Sequence, residues 1–205
     1  MSLEMCVKLI SFTKDYLDVL GVAVGMPYSN GNKASIKTIQ KVIDSGHLSV
    51  LEHCNCVFEV ECSVAVLGQL TRHRHLQFTV KSARGSKFDM DSFVLPADAP
   101  QSVVVALKKA IYNYLDILEE TNNNYDVARY VLPQGIKTKL VLSGNFRAFY
   151  EYLPKRLCHR AMREHRELAE QIHTQLLINI PEVFNRQFIG CADCKELGGC
   201  TFGSR

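Results

Sequence analysis

The sequence lacks both of the short glycine-rich motifs that most often hold a nucleotide, GxGxxG and GxxxxGKS/T. It also lacks an apolar run of the ~20 residues that a membrane-spanning helix requires, so we expect no such helix. Neither sign of charge is in large excess, since 24 basic residues face 21 acidic ones and the formal net charge is +3. This balance excludes a histone-like nucleic-acid protein but is compatible with a local basic site.

The chain has the size and composition of a globular domain. Its 205 residues are 47% hydrophobic and 22% charged, and a chain of this length buries well over half of its unfolded surface. We predict one domain over residues 1–186. A short tail over residues 187–205, rich in glycine and cysteine, follows it.

The eight cysteines bear on the compartment in which the protein works. Residues 1–13 lack the succession of basic, apolar and small residues that marks a secretory signal. Without such a signal, cysteines are more often reduced thiols or metal ligands than disulfides. We therefore predict a cytoplasmic protein.

Hydrophobic periodicity predicts strands and helices in irregular succession. Residues 54–62 alternate apolar and polar side chains, which is typical of a half-buried strand, and an apolar stripe over residues 99–120 is typical of an amphipathic helix. A loop is predicted at 21–32, where Gly, Asn and Ser are frequent. The other predicted strands are 5–12 and 138–142, and the other helices are 34–44, 63–72, 126–131, 145–156 and 159–179. Because no regular strand–helix–strand rhythm appears, we expect an α+β fold.

A run of basic residues closes the predicted helix at 63–72. Residues 72–74 are Arg-His-Arg, and Lys81 and Arg84 follow shortly after. One interpretation is structural, because cations are favoured at the negative end of a helix dipole. The other is an anion site, because arginine binds phosphate in a planar, bidentate manner and several polar side chains stand nearby.

A second group of arginines lies on the helices predicted after residue 144. Its members are Arg147, Arg156, Arg160 and Arg163. The last three are four and three residues apart, so they share one helix face. Taken alone, this spacing favours a solvated face paired with Glu164 and Glu167. Arg129, just before a Val-Leu-Pro sequence, is a further candidate.

The order of these motifs resembles that of one family. Residues 72–74, then Ser82 after seven residues and Arg84 two further on, are similar to the defining motif of the flavin-dependent thymidylate synthases (ThyX). Gln69 stands three residues before the motif, as it does in that family. The spacing is specific, so we expect membership of this family.

The surroundings of the motif agree with the resemblance. Residues 47–53 are similar to a histidine-bounded stretch of the family, and residues 128–133 resemble its ARxxLP element. Asn145 and Arg147 match an Asn-x-Arg sequence that opens the next helix, and Arg156 stands where the family has a late arginine. The resemblance spans residues 36–184, most of the chain.

The resemblance implies a fold, an assembly and a reaction. The fold would be a central, mostly antiparallel sheet flanked by helices, with active sites at the subunit interfaces of a homotetramer. The reaction would convert dUMP to dTMP, with methylenetetrahydrofolate as carbon donor, FAD as carrier and NADPH as reductant. No membrane or nucleic-acid partner is implied.

The resemblance also assigns roles by position. Arg156, which would stabilise the electron-rich pyrimidine, and Ser82 are the predicted catalytic residues. The predicted FAD-binding residues are His47, Ser49, Arg72, His73, Arg74, Asn145 and Arg147. The predicted nucleotide-binding residues are Gln69, Arg72, Ser82, Arg84, Arg129 and Arg156.

Several positions depart from the family pattern. This chain has Gln77, Val80 and Gly85, where the family usually has Ser, Glu and Tyr in that order. It also has Glu151, where the family often has Asn or His, and Arg160, where the family has His. We expect an active enzyme. The alternatives are a relative that acts on a different pyrimidine nucleotide or binds flavin poorly, and a non-catalytic nucleotide- or nucleic-acid-binding module that retains the arginines.

The tail carries three further cysteines, Cys191, Cys194 and Cys200. The first two form a CxxC pair, which is able to chelate zinc, but a structural zinc site takes four ligands. A fourth ligand would have to come from Cys158, a histidine or a neighbouring subunit. Free thiols are the simpler interpretation.

Overall fold

A computed structural model describes residues 6–28, 32–95, 98–188 and 200. Four strands and eight helices follow one another along this part of the chain. In order they are β1 (Cys6–Phe12), α1 (Tyr16–Gly25), α2 (Ile36–Asp44), β2 (Asn55–Ser63), α3 (Val64–Leu70), β3 (Gln77–Val80), α4 (Gln101–Glu120), α5 (Tyr125–Ala128), β4 (Lys137–Asn145), α6 (Phe146–Arg156), α7 (Arg163–Asn179) and α8 (Pro181–Phe184). Two 3-10 turns, Leu48–His53 and Arg129–Val131, complete the set.

The strands form one sheet in the order β1-β2-β4-β3, and each neighbouring pair in it is antiparallel. The long strands β2 and β4 pair over their whole length, from Asn55 opposite Asn145 to Ser63 opposite Lys137. Helices pack on the sheet, so the expected α+β class with a central antiparallel sheet is confirmed.

The two faces of the sheet differ in chemistry. On β2, the alternation predicted from the sequence places Cys54, Cys56, Phe58, Val60 and Cys62 in the interior, all fully buried. On the opposite face, lysines of β4 pair across the strands with glutamates of β2. Their Nζ–Oε distances are 2.9 Å for Lys139–Glu59 and 3.4 Å for Lys137–Glu61.

The main core lies between the apolar face of the sheet and the helices α1, α2, α3, α6, α7 and α8. Aromatic rings dominate its centre, with Phe58 edge-on to Phe149 at 5.2 Å between ring centroids. A second, smaller core packs α4 and α5 against residues 88–95 and Ile136. Residues 88–95, which follow β3, thereby pack against α4, α5 and Ile136.

The prediction of a loop over residues 21–32 is wrong for residues 21–25, which complete α1, while 29–31 lie outside the described residues. The two glycines that suggested a loop, Gly21 and Gly25, lie on α1 where another part of the backbone approaches the helix closely. A Cβ on Gly25 would lie 2.1 Å from the Asn32 carbonyl oxygen. The Ala34 N–H donates to the Gly21 carbonyl oxygen at 2.9 Å. Close backbone approach, rather than a turn, requires glycine here.

Replacing Gly25 by alanine is expected to destabilise the protein by about 1–3 kcal/mol, because the new Cβ overlaps the backbone of Asn32, which would have to shift. Gly68→Ala is the matched control, since that helical glycine has open space around it. Alanine favours helix, so the control should be neutral or stabilising by up to about 1 kcal/mol. Urea unfolding measures both, and equal stabilities of the two variants would contradict the contact.

Other boundaries differ from the predictions by local amounts. In α4 the buried stripe is Leu107, Ile111, Tyr114 and Leu118, whereas Val103 of the predicted stripe is exposed. The helix expected over 126–131 is a single turn of α-helix followed by a 3-10 turn. The last long helix begins at Arg163 rather than 159, and Pro154 lies inside α6.

Within the described residues, none of the helices combines the length and the apolar character needed to cross a membrane.

Candidate active site

Hydrogen bonds between the first turns of two helices, α3 and α7, position the residues of the candidate site. Ser63 caps α3 by accepting a hydrogen bond from the Val66 N–H at 3.1 Å. Its own N–H and hydroxyl donate to the carboxylate of buried Glu164, at 2.8 and 2.7 Å. The first turn of α3 is thereby bonded to the first turn of α7. The Arg-His-Arg segment that follows α3 is therefore held against the end of α6 and the start of α7, which together form the corner of the candidate site.

Arg156, at the end of α6, is the centre of this corner. Its Nε–H donates to His73 Nε2 at 2.8 Å. Its Nη1 and Nη2 donate to the side-chain and main-chain oxygens of Gln69, at 3.4 and 3.5 Å. Predicted FAD-binding and nucleotide-binding residues thus contact one another in a single chain.

Two histidines at the corner are uncharged at neutral pH. Burial lowers the pKa of His73 to about 4, and the cations Arg156 and Lys155 add to the effect. Burial likewise lowers the pKa of His165 to about 3, with Arg156 and His73 contributing. Arginine has no acceptor, so the nitrogen of His73 that faces Arg156 must be unprotonated. The hydrogen of the His73 ring is therefore on Nδ1.

The corner opens into a cleft of about 340 Å³. Its basic lining residues are Arg72, His73, Arg74, His75, Lys155 and Arg156. Arg72 and Arg74 are exposed, and within the described part of the chain neither has an ion-pair partner. Unpaired arginines in a concave surface favour an anionic ligand, phosphate above all.

A second cleft of about 290 Å³ adjoins the first, with His75, Ala148 and Glu151 in the lining of both. Asn145 and Arg147 line it at the start of α6. Asn145 caps this helix by accepting from the Ala148 N–H at 2.8 Å. The two clefts therefore form a continuous surface along α6.

Arg147 is paired with carboxylates on both sides. It donates to Glu151, one helical turn along α6, at 2.8 Å and to Glu52 at 2.5 Å. Glu52 belongs to the 3-10 turn Leu48–His53, which packs against α6. His47 and Ser49, at the start of the same turn, are exposed. The turn thus brings the predicted flavin residues 47 and 49 to the side of the protein that carries Arg147.

The remaining predicted nucleotide residues form a separate group. Arg84 and Arg129 both bind the carboxylate of Asp126, with N–O distances of 2.8 and 3.3 Å. Ser82 Oγ accepts from the Arg84 N–H at 3.2 Å. Among the described residues, no hydrogen bond or ion pair connects this group with Arg156. Within one chain, these contacts divide the predicted nucleotide residues into two groups, the half-sites around Arg156 and around Asp126.

Sequence reasoning missed two residues at the first cleft: Tyr152, which is in its lining, and His165, which lies behind it. Both are buried, and their rings lie 5.9 Å apart between centroids. His165 falls on the face of α7 that buries Leu168, Ala169 and Ile172. A histidine on that apolar stripe was the signal available in the sequence.

Comparison with known proteins decides the family. The family model described as thymidylate synthase complementing protein matches residues 8–182. The chain belongs to the flavin-dependent thymidylate synthase family. A relative of that name in Saccharolobus solfataricus is 34% identical, over 87% of this chain and 75% of its own. Another of the same name, from Nitratidesulfovibrio vulgaris, is also 34% identical, over 82% and 73% of the two chains.

A solved flavin-dependent thymidylate synthase agrees in fold. The crystal structure of thymidylate synthase X from Helicobacter pylori, with FAD and dUMP, superimposes with a TM-score of 0.76 at 27% sequence identity. The alignment covers 88% of this chain and 97% of that one. Both half-sites and both clefts lie within residues 8–182, the part that matches the family model.

The cysteine tail lies almost wholly beyond what the structure describes. Cys191 and Cys194 are outside the described residues, and Cys200 is half-buried. Within residues 6–28, 32–95, 98–188 and 200, no three metal-ligating side chains come together. The zinc site and the boundary at residue 186 stay predictions.

Proposed function

We propose that this protein catalyses the flavin-dependent reductive methylation of dUMP to dTMP. The observation that carries the proposal is the arrangement of arginines at the corner of the first cleft. There, a fixed arginine, Arg156, is hydrogen-bonded to Gln69 and His73 beside two unpaired arginines. A nucleotide phosphate and an electron-rich ring both require such cations.

The charge of the first cleft suits FAD, and the second cleft adjoins it. Arg72, His73 and Arg74 line the first cleft, and Asn145 and Arg147 line the second. The unpaired arginines of residues 72 and 74 fit the diphosphate of the cofactor. When bound, FAD would supply the redox chemistry and carry the carbon between methylenetetrahydrofolate and the nucleotide, with NADPH as reductant.

Arg156 would act on the pyrimidine. The N3–O4 edge of the pyrimidine would become electron-rich as C5 becomes nucleophilic, and a permanent cation at that edge would stabilise the charge. Hydrogen bonds to Gln69 and His73 fix the guanidinium before the nucleotide binds. Preorganisation of this kind lowers the free energy of the transition state without a reorganisation cost. Arg156 uses the Nε2 of His73, which leaves the Nδ1–H of this ring as a donor. We assign to it a hydrogen bond to the flavin.

The complete nucleotide site would combine half-sites of two subunits. Gln69, Arg72 and Arg156 would come from one chain, and Ser82, Arg84 and Arg129 from a neighbour. The two half-sites are not bonded to each other in one chain, and a second copy supplies the missing half in a closed assembly. We propose a homotetramer on these grounds. A cytoplasmic location likewise stays a prediction.

The test is an assay of the purified protein reconstituted with FAD. We expect a flavin absorbance spectrum, bleaching of that spectrum by NADPH, and release of tritium from dUMP labelled at C5. Release from a different pyrimidine nucleotide, but not dUMP, would support the altered-substrate alternative. Nucleotide binding with neither bleaching nor release would support the non-catalytic alternative and contradict the proposed function.

A further inference from the structure

His165 lies directly behind the candidate nucleotide site without lining it. The residue is fully buried on α7, and its Nδ1 is 3.4 Å from Gln69 Oε1. The same Gln69 oxygen accepts from Arg156 Nη1, also at 3.4 Å. One carboxamide oxygen therefore joins a buried histidine to the arginine at the mouth of the cleft.

The donors and acceptors in this network have only one consistent assignment. Arg156 is always a donor, so the atom of Gln69 that faces it must be the oxygen. The Gln69 amide nitrogen then faces Met162 Sδ, to which it donates at 3.3 Å. Because His165 faces the same oxygen, its Nδ1 must carry the hydrogen. The pKa lowered by burial, to about 3, keeps the ring in this neutral form.

The second ring nitrogen of His165, Nε2, contributes no hydrogen bond to the described part of the fold. This nitrogen is buried and has no hydrogen-bond partner among the described residues, and the hydroxyl of Tyr152, whose ring centroid lies 5.9 Å from that of His165, has none either. A buried acceptor without a partner destabilises a fold. An apolar side chain would therefore serve stability at this position at least as well as histidine does. The contact with Gln69 is what distinguishes histidine from leucine here.

We infer that His165 is a positioning residue for the pyrimidine nucleotide, acting through Gln69 on Arg156. The inference rests on the proposed function, because the nucleotide is the ligand of Arg156. With the Nδ1–H of His165 and the guanidinium of Arg156 on one oxygen, the Gln69 side chain is held in a single orientation. Without His165, the Gln69 side chain retains only its contacts with Arg156 and Met162, so the partner of Arg156 is held less firmly.

The experiment compares dUMP affinity with stability in three variants of the FAD-reconstituted protein. His165→Leu removes the donor at similar volume. His165→Asn retains an N–H at the position of Nδ1. His173→Leu is the matched control, since His173 lies two turns along α7 and its Nε2 contacts the Phe184 carbonyl oxygen at 3.1 Å, away from the cleft.

We expect His165→Leu to weaken dUMP binding about tenfold by titration calorimetry, equivalent to about 1.4 kcal/mol. Its melting temperature should equal or exceed that of the wild type. His165→Asn should bind within about threefold of the wild type, and His173→Leu should bind like the wild type. In a Gln69→Ala background, adding His165→Leu should have no further effect on affinity, because the coupling passes through Gln69.

Wild-type affinity of His165→Leu would overturn the inference, as would equal losses in His165→Leu and His173→Leu. An additive effect in the Gln69→Ala background would overturn it too. If His165→Leu does not fold, His165→Asn decides, since a loss of tenfold in that folded variant would contradict the role of the Nδ1–H. Absence of dUMP binding and tritium release in the wild type would instead contradict the proposed function itself.

Discussion

Arg156→Ala is expected to lower the rate of tritium release from C5 of dUMP by about 100- to 1,000-fold, the usual loss when one preorganised electrostatic donor is removed. The guanidinium is the only group in the described part of the chain that donates to both Gln69 and His73. Its removal deletes the cation and frees both partners. Since the charge it stabilises develops in the transition state, kcat should fall more than dUMP affinity.

Two further variants make this prediction specific. Arg156→Lys retains the charge but not the planar donor set, so it should recover only part of the lost rate. Arg163→Ala is the control, because that arginine is exposed on the solvated face and pairs with Glu167 at 2.9 Å. Its activity should be unchanged. A kcat of Arg156→Ala within tenfold of the wild type would refute the role of Arg156.

Mixing two inactive variants is expected to restore activity if each site draws on two chains. One variant is Arg156→Ala, and the other is the double variant Arg84→Ala, Arg129→Ala, which lacks both arginines on Asp126. Each alone should be reduced about 100-fold at low dUMP. After subunits are mixed at random and reassembled, about a quarter of the sites should contain two intact half-sites.

The control for this experiment places both defects in one half-site. Arg156→Ala mixed with Gln69→Ala should recover nothing, because every site then takes one defective partner of the same hydrogen-bonded pair. Tritium release before and after reassembly measures both mixtures. No recovery in the first mixture, or full activity in a monomeric fraction, would show that one chain holds the whole site.

Local sequence signals predicted much of this fold correctly. Ser63 and Asn145 cap α3 and α6, and each is the first residue of a helix predicted from the sequence, 63–72 and 145–156. The alternation in residues 54–62 identified the central strand and the face that it buries. Such signals work because capping and side-chain alternation depend on residues that are adjacent in the chain.

The parts that sequence could not supply depend on contacts between distant residues. α1 contains two glycines that by themselves resemble a loop, and residues 32–34, which are distant from the helix start, pack against them. The bond from Gln69 to His165 spans 96 positions. The spacing of Arg84 and Arg156 in the sequence likewise gives no information on which subunit's nucleotide site each residue would belong to. Motif spacing predicts candidate site residues, whereas tertiary contacts decide how they are grouped.

The two desolvated imidazoles also determine how the site responds to acid. In an unfolded chain each would take up a proton near pH 6.5, but in the folded protein protonation waits until about pH 4 for His73 and about pH 3 for His165. The unfolded state therefore binds more protons through this window, and these groups favour unfolding progressively as pH falls below 6.5. Above that pH they hold a constant charge of zero. The charge of His73 and His165 therefore does not change above about pH 6.5, whereas acid destabilises the folded protein through both residues.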